Sequence, residues 1–288
     1  MANKIIKTAG IRGASGLVGT AITKALEKDG WSVKRISREF SVQDVKGLGL
    51  IINLAGHTIN CRWTNKQKRE IRKSRIETTA NLSNAILECG EQTPALFISA
   101  SAVGIYPSSS TVTPESAFDE LSTERGSGFL SSICEDWERE AMKASVCTRV
   151  AVIRLGVVVS TRGGAFPKLS LPFKFATAIR FGSGKQPFSW ISEEDVVGAI
   201  MYIINDQSIS GPVNLVAPQI IDMNGVESTL SDHYKTKLKV ILPEFVLKIV
   251  MGGSYRLVTE GQNVKPSVLM SKMYDFKYKT LGDKLREE

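Results

Sequence analysis

The stretch Gly13-Ala14-Ser15-Gly16-Leu17-Val18-Gly19 carries residue types and a spacing suited to binding a phosphate. It lies between an apolar run (Ile5, Ile6, Ala9, Ile11) and an amphipathic one (Leu17, Val18, Ala21, Ile22, Ala25, Leu26), so it reads as the turn from a strand into a helix. The first turn of a helix leaves backbone N–H groups without intrahelical partners, and its dipole favours an anion there. In this spacing Gly13 permits a tight turn, Gly16 lets a pyrophosphate approach the backbone, and Gly19 lets the helix pack closely on the strand. Ser15 belongs to the same loop. An ordinary strand-to-helix turn would use the same glycines, so the rest of the chain has to decide.

Two further strands end in residues fit for a dinucleotide. Trp31 to Ser37 alternates as a strand and runs into Ser37-Arg38, where many NAD-binding proteins carry an acid for the adenosine ribose. A guanidinium there pairs with a 2′-phosphate that a carboxylate would repel, which favours NADP(H), while the adjacent Glu39 leaves NAD open. Gly49 to Gly56 is a continuous apolar run of the kind buried on both faces inside a parallel sheet, and its end, Leu54-Ala55-Gly56, would face the cofactor. Leu96 to Val103 is another such strand, with Ser99 and Ser101 near its carboxyl end and Tyr106 just beyond.

These strands alternate with helical segments. Asn65 to Cys89 has no proline or glycine and reads as one long helix; Phe129 to about Lys143 reads as another, before a strand from Arg149 that continues to Val159. Pro107 to Ser127 is a serine-rich surface loop placed to close over a site. The pattern predicts an α/β fold, a Rossmann-type doubly wound parallel sheet with a small C-terminal lobe. Residues 1–165, joined by 186–217, would form the dinucleotide domain, and 166–185 with 218–288 the lobe.

Composition narrows the class of function. The chain has 288 residues, 42% of them hydrophobic, enough for a full core, and no apolar run of about 18 residues that would span a membrane. Met1 to Lys4 lead into a strand and not into a secretory apolar region, so a cytoplasmic or organellar-matrix location, mitochondrial included, is expected. The net charge of +8 suits an anionic ligand. Much of it lies between Lys66 and Arg75, a solvated helix face with no nucleic-acid-binding motif beside it. Four cysteines form no CxxC pair and the two histidines, His57 and His233, are far apart, which argues against zinc and for a reducing compartment.

Several stretches together resemble the atypical, extended short-chain dehydrogenase/reductases known loosely as epimerase-like. They are GASGLVG, INLAG followed by RW, SRIETT, ISASAVG, FLSSICEDWE, GSGKQPFSWI, GPVNLVAP and EGQNVKP, spread almost end to end. The resemblance implies an NADP-dependent oxidoreductase, with cofactor contacts at Leu17, Val18, Ser37, Arg38, Leu54, Ala55, Glu70, Arg75 and Val158. The chain departs from the family in being short between Arg38 and Leu50. It also has His57 where an acid is common, Ile105 where a tyrosine is common and Ser192 where a histidine is usual.

Reductases of this kind move a proton through a tyrosine assisted by a lysine four residues on. None of the six tyrosines here has a lysine at that spacing, and by resemblance Phe129 and Ile133 stand in the pair's place. Ser99, Ser101 and Tyr106 remain as candidates for the acid, each with a structural reading beside the catalytic one. Arg154 suits an anionic substrate or a structural ion pair equally. Two functions follow: an oxidoreductase or epimerase acting on an unidentified small molecule, or an inactive NADPH-holding accessory subunit whose partners are the proteins of a larger assembly.

Overall fold

The computed structural model describes residues 6–110 and 112–287; Ile5, counted above in the first apolar run, and the Met1–Lys4 segment lie outside them. Strand β1 (Thr8–Arg12) leads into helix α1 (Leu17–Lys28), β2 (Ser32–Ile36), β3 (Leu50–Asn53), α2 (Asn65–Leu87) and β4 (Leu96–Ala102). Then come α3 (Phe129–Met142), β5 (Arg149–Leu155), β6 (Val157–Val159), α4 (Phe166–Lys174), β7 (Thr177–Phe181), β8 (Trp190–Ser192), α5 (Glu193–Asn205) and β9 (Gly211–Leu215). Six strands form one parallel sheet in the order β2-β1-β3-β4-β5-β9. The period of two sorts the side chains. Ile52, Ile98 and Ile153 pack with Ile22 and Leu26 of α1 and Val196, Ile200 and Ile203 of α5. Their neighbours Ile51, Phe97 and Val152 pack with Leu82 and Ile86 of α2 and Ala141 of α3.

The chain leaves β1 towards β2 on one side and comes back to β3 on the other, so the crevice at the carboxyl ends of β1 and β3 is the topological switch point. Between Ile36 and Leu50 only a 3₁₀ turn, Val42–Asp44, replaces the usual helix. That leaves β2 as an edge strand, with Ser32, Lys34 and Arg35 exposed.

The structure corrects three expectations. The strand from Arg149 does not run on to Val159 in the same sheet. The backbone breaks at Gly156, where a Cβ would lie 2.6 Å from the Ser189 carbonyl, and β6 leaves to pair with β8. The strand before the glycine turn starts only at Thr8, and Ile6 is exposed. The serine-rich loop is not free to close: Ser109 and Phe118 donate backbone hydrogen bonds to Gly261 and Asn263, and Asn263 Nδ2 bonds the Thr113 carbonyl at 2.7 Å. The C-terminal part adds α6 (Met223–Tyr234), β10 (Leu238–Leu242), α7 (Glu244–Met251), α8 (Arg256–Thr259), α9 (Ser267–Ser271) and α10 (Leu281–Arg286). β10 pairs with β7 in a sheet of two that no sequence pattern announced. No helix among the described residues is long and apolar enough to cross a membrane.

Helix α1 sits very close to β1 because Gly19 faces the Gly13 carbonyl: a Cβ on Gly19 would lie 2.1 Å from that oxygen, and backbone cannot yield cheaply. Overpacking costs about 1–3 kcal/mol, so Gly19→Ala should lower the unfolding free energy measured in urea by an amount in that range. Gly16→Ala, where the nearest atom would be 3.4 Å away, should cost under about 1 kcal/mol. Equal effects of the two changes would contradict this packing.

Candidate cofactor site

Gly13 has φ +87°, a backbone conformation that favours glycine, and its Cα side rests on the second strand end of the crevice. A Cβ there would lie 2.8 Å from the Leu54 carbonyl carbon and 3.0 Å from the Ala55 nitrogen, so the glycine turn and Leu54-Ala55-Gly56 lie back to back. Gly16 is the N-cap of α1, extended and with no side-chain cap, so the N–H groups that open the helix are left for another partner. Ser15 and Gly16 are exposed in front of them. The turn after β6 forms a third wall: a Cβ on Gly164 would lie 3.3 Å from Leu17 Cδ2 and 3.8 Å from the Val158 carbonyl. Val18, Leu54 and Val158 pack on the same core beneath.

Helix α2 fastens the loop after β3. Ser74 Oγ accepts from the His57 N–H at 2.9 Å, and Arg75 Nη1 donates to the His57 carbonyl at 3.0 Å. Thr79 Oγ1 accepts from Asn53 Nδ2 at 2.7 Å and from Trp137 Nε1 at 2.8 Å, tying β3, α2 and α3 together. The Arg75 guanidinium lies against Gly56 and over the Trp137 ring, and burial lowers its pKa. Among the described residues no carboxylate is within ion-pair reach of Arg75, which leaves its charge available to an anion. Glu70 does not join this cluster. It is exposed, and five residues from Arg75 it points about 140° away around the helix.

Arg38 is exposed just past β2, with Ser37 beside it donating to the Glu39 carbonyl. An open groove of about 450 Å³ begins at Arg38 and runs between Phe40 and the α2 residues Asn81, Asn84 and Glu88. A second guanidinium, from Arg12, stands at the end of β1. The sequence reading missed it, although a charged residue inside an apolar strand end, directly before Gly13, was the available signal.

The three candidate acids are enclosed in the protein. Ser99 is fully buried, on the same face of β4 as Phe97. Ser101 donates to Glu138 Oε1 at 2.7 Å. Tyr106 is 1% exposed. Its hydroxyl accepts from Arg154 Nη1 at 2.7 Å and faces the Asp119 carbonyl and Asn214 Oδ1, each at 2.9 Å. Burial pushes the phenol pKa up. These contacts tie Tyr106 to three other parts of the chain, and Arg154 is ion-paired with Glu138 at 2.8 Å. Phe129 opens α3, with Trp63 edge-on at 5.3 Å and Lys68 Nζ 5.2 Å from its ring centre. Ile133 and Cys134 are buried behind it, and burial pushes the Cys134 thiol up to about 12, which makes it a packing residue.

A glycine turn at a parallel-sheet switch point, with free N–H groups and guanidinium charge around it, is a nucleotide-binding arrangement, and sequence comparison agrees. The model of the NAD dependent epimerase/dehydratase family matches residues 9–215. The chain belongs to that family. A second model, a domain of unknown function (DUF1731), matches residues 242–288. Among relatives of this epimerase family member, the chloroplastic SDR39U1 homolog of Arabidopsis thaliana is 32% identical over 97% of the chain and 86% of its own length. The epimerase family protein ML0860 of Mycobacterium leprae is also 32% identical, over 96% and 93%. A crystal structure of human epimerase family protein SDR39U1 with NADPH superposes with a TM-score of 0.89 at 29% identity, over 97% of this chain and 98% of that one.

Removing the Tyr106 hydroxyl leaves Arg154 Nη1 and Asn214 Oδ1 facing an empty position, and a buried polar group without its partner costs about 1–3 kcal/mol. Tyr106→Phe should therefore lower stability by about that much in urea unfolding while leaving nucleotide affinity unchanged. A loss of nucleotide binding with full stability would return Tyr106 to the site.

Proposed function

We propose that this chain binds NADPH in the switch-point crevice and acts as an oxidoreductase on a small molecule. The carrying observation is the uncapped start of α1, with Ser15 and Gly16 exposed before it and guanidinium groups that no carboxylate neutralises among the described residues. The NADPH-containing human relative supports the same choice of cofactor.

The backbone N–H groups of Leu17 and Val18 would hold the pyrophosphate, with Ser15 and Gly16 in front. Arg38, with Ser37, would face the adenosine ribose and its 2′-phosphate. Leu54, Ala55 and Val158 would line the sides, and Arg75 would add positive charge by Gly56. Bound NADPH would supply a hydride. Trp63, Phe129 and Lys68 form an aromatic wall that carries a cation, which suits a substrate with a flat apolar part and an anionic group. Proton delivery is weak by design of the residues: Phe129 and Ile133 carry no transferable proton, and losing a placed general acid costs about 10²–10⁴ in rate. Slow turnover is therefore expected on ordinary carbonyl compounds.

The enclosure of Ser99, Ser101 and Tyr106 favours a second reading, in which the protein holds NADPH as an accessory subunit. The two separate on single-turnover oxidation of NADPH by a panel of small carbonyl compounds. Any oxidation that depends on the Trp63 wall supports the first reading, and none, with the protein purifying in an assembly, supports the second.

Two variants test the cofactor assignment by calorimetry. Gly16→Val should abolish NADPH binding in a protein that stays folded, because the side chain enters the pyrophosphate space; normal binding would refute that placement. Arg38→Ala should remove a charge-assisted bond of about 1.5–3 kcal/mol and cut the preference for NADPH over NADH on the order of tenfold or more. An unchanged preference would refute the role of Arg38.

A further inference from the structure

We infer that Arg12 joins Arg38 to make a two-guanidinium site for the 2′-phosphate of the cofactor, so that selectivity is built from β1 as well as from the end of β2. The inference rests on the NADPH reading above and extends it to a residue outside the glycine turn and the Ser37-Arg38 pair.

Arg12 is the last residue of β1 and its register partner across the sheet is Ile36, two residues before Arg38. Its Nη1 donates to the Ile36 carbonyl at 3.3 Å, which lays the guanidinium across the ends of β1 and β2, two residues before Arg38 in the chain. Its Nε is buried and has no hydrogen-bond partner among the described residues. Neither Arg12 nor Arg38 has a carboxylate within ion-pair distance among those residues. Burial lowers the Arg12 pKa, and the positive charge of Arg38 lowers it further, so the two cations sense each other. A protein that brings two cations together at a sheet edge, with an unmet donor between backbone and solvent, loses stability unless an anion joins them. A phosphate monoester fits: it carries up to two negative charges and three acceptor oxygens, and a guanidinium fork matches it bidentately. The switch-point geometry sets the adenosine end of a dinucleotide at this edge, so the 2′-phosphate is the monoester that arrives there.

Calorimetry with NADPH and NADH on the wild-type protein, Arg12→Gln, Arg38→Gln and the double variant tests the inference. Each single change should weaken NADPH on the order of tenfold and leave NADH within about twofold, and the double variant should bind both alike. Adenosine 2′-monophosphate should raise the melting temperature of the wild type and not of Arg12→Gln, whereas adenosine 5′-monophosphate should act equally on both. Arg12→Lys, which keeps the charge and loses the fork, should fall between; it serves as the test if Arg12→Gln does not fold. An unchanged NADPH-to-NADH ratio in Arg12→Gln overturns the inference while Arg38 keeps its role. An equal loss of both cofactors also overturns it, since Arg12 would then be structural. If the wild-type protein binds neither cofactor, the NADPH reading itself fails.

Discussion

The contact on which the rest depends is the one between Gly19 and the Gly13 carbonyl, where helix α1 meets the end of β1 with no side chain between them. That approach aims the start of the helix at the crevice instead of over it. It leaves Gly16 exposed and sets the glycine turn against Leu54 and Ala55 of the neighbouring strand end. One backbone contact thus fixes both walls of the crevice. The positive field of the helix start, and of Arg12, Arg38 and Arg75 around it, acts on whatever lies between.

The other half of the carboxyl edge adds side-chain charge to the backbone ladder of β4, β5 and β9. Glu138, Arg154, Tyr106 and Asn214 join α3, β5, the loop after β4 and β9 into one buried hydrogen-bonded chain. A chain of this kind ties the strand ends together, at the price of removing its one hydroxyl, that of Tyr106, from solvent. The molecule therefore sets a charged, hydrogen-bonded network beside the switch-point crevice. Phe129, at the place where a proton-transfer residue would be expected by resemblance, instead meets Trp63 edge-on.

Much of this was legible in the sequence. Leu50–Asn53 and Leu96–Ser101 read as central strands because burial on both faces demands continuous apolar residues, and the glycine turn was legible because a positive φ and a close helix approach leave few other residues. The roles of Tyr106 and Arg154 were not legible. The hydroxyl of Tyr106 meets groups 13, 48 and 108 residues away in the chain, and only the fold brings them together. Strands β7 and β10 escaped for a related reason: β10 is an exposed edge, four of its five residues being exposed, so no alternation marks it. Arg12 was passed over because it sits inside a run read for its apolar content.

The most direct measurement is a crystal structure of the protein grown with NADPH. The pyrophosphate should lie on the N–H groups of Leu17 and Val18, in front of Gly16, with the adenosine ribose turned to the ends of β1 and β2. Density for the nucleotide elsewhere, or a crevice that stays empty at saturating NADPH, would contradict the account.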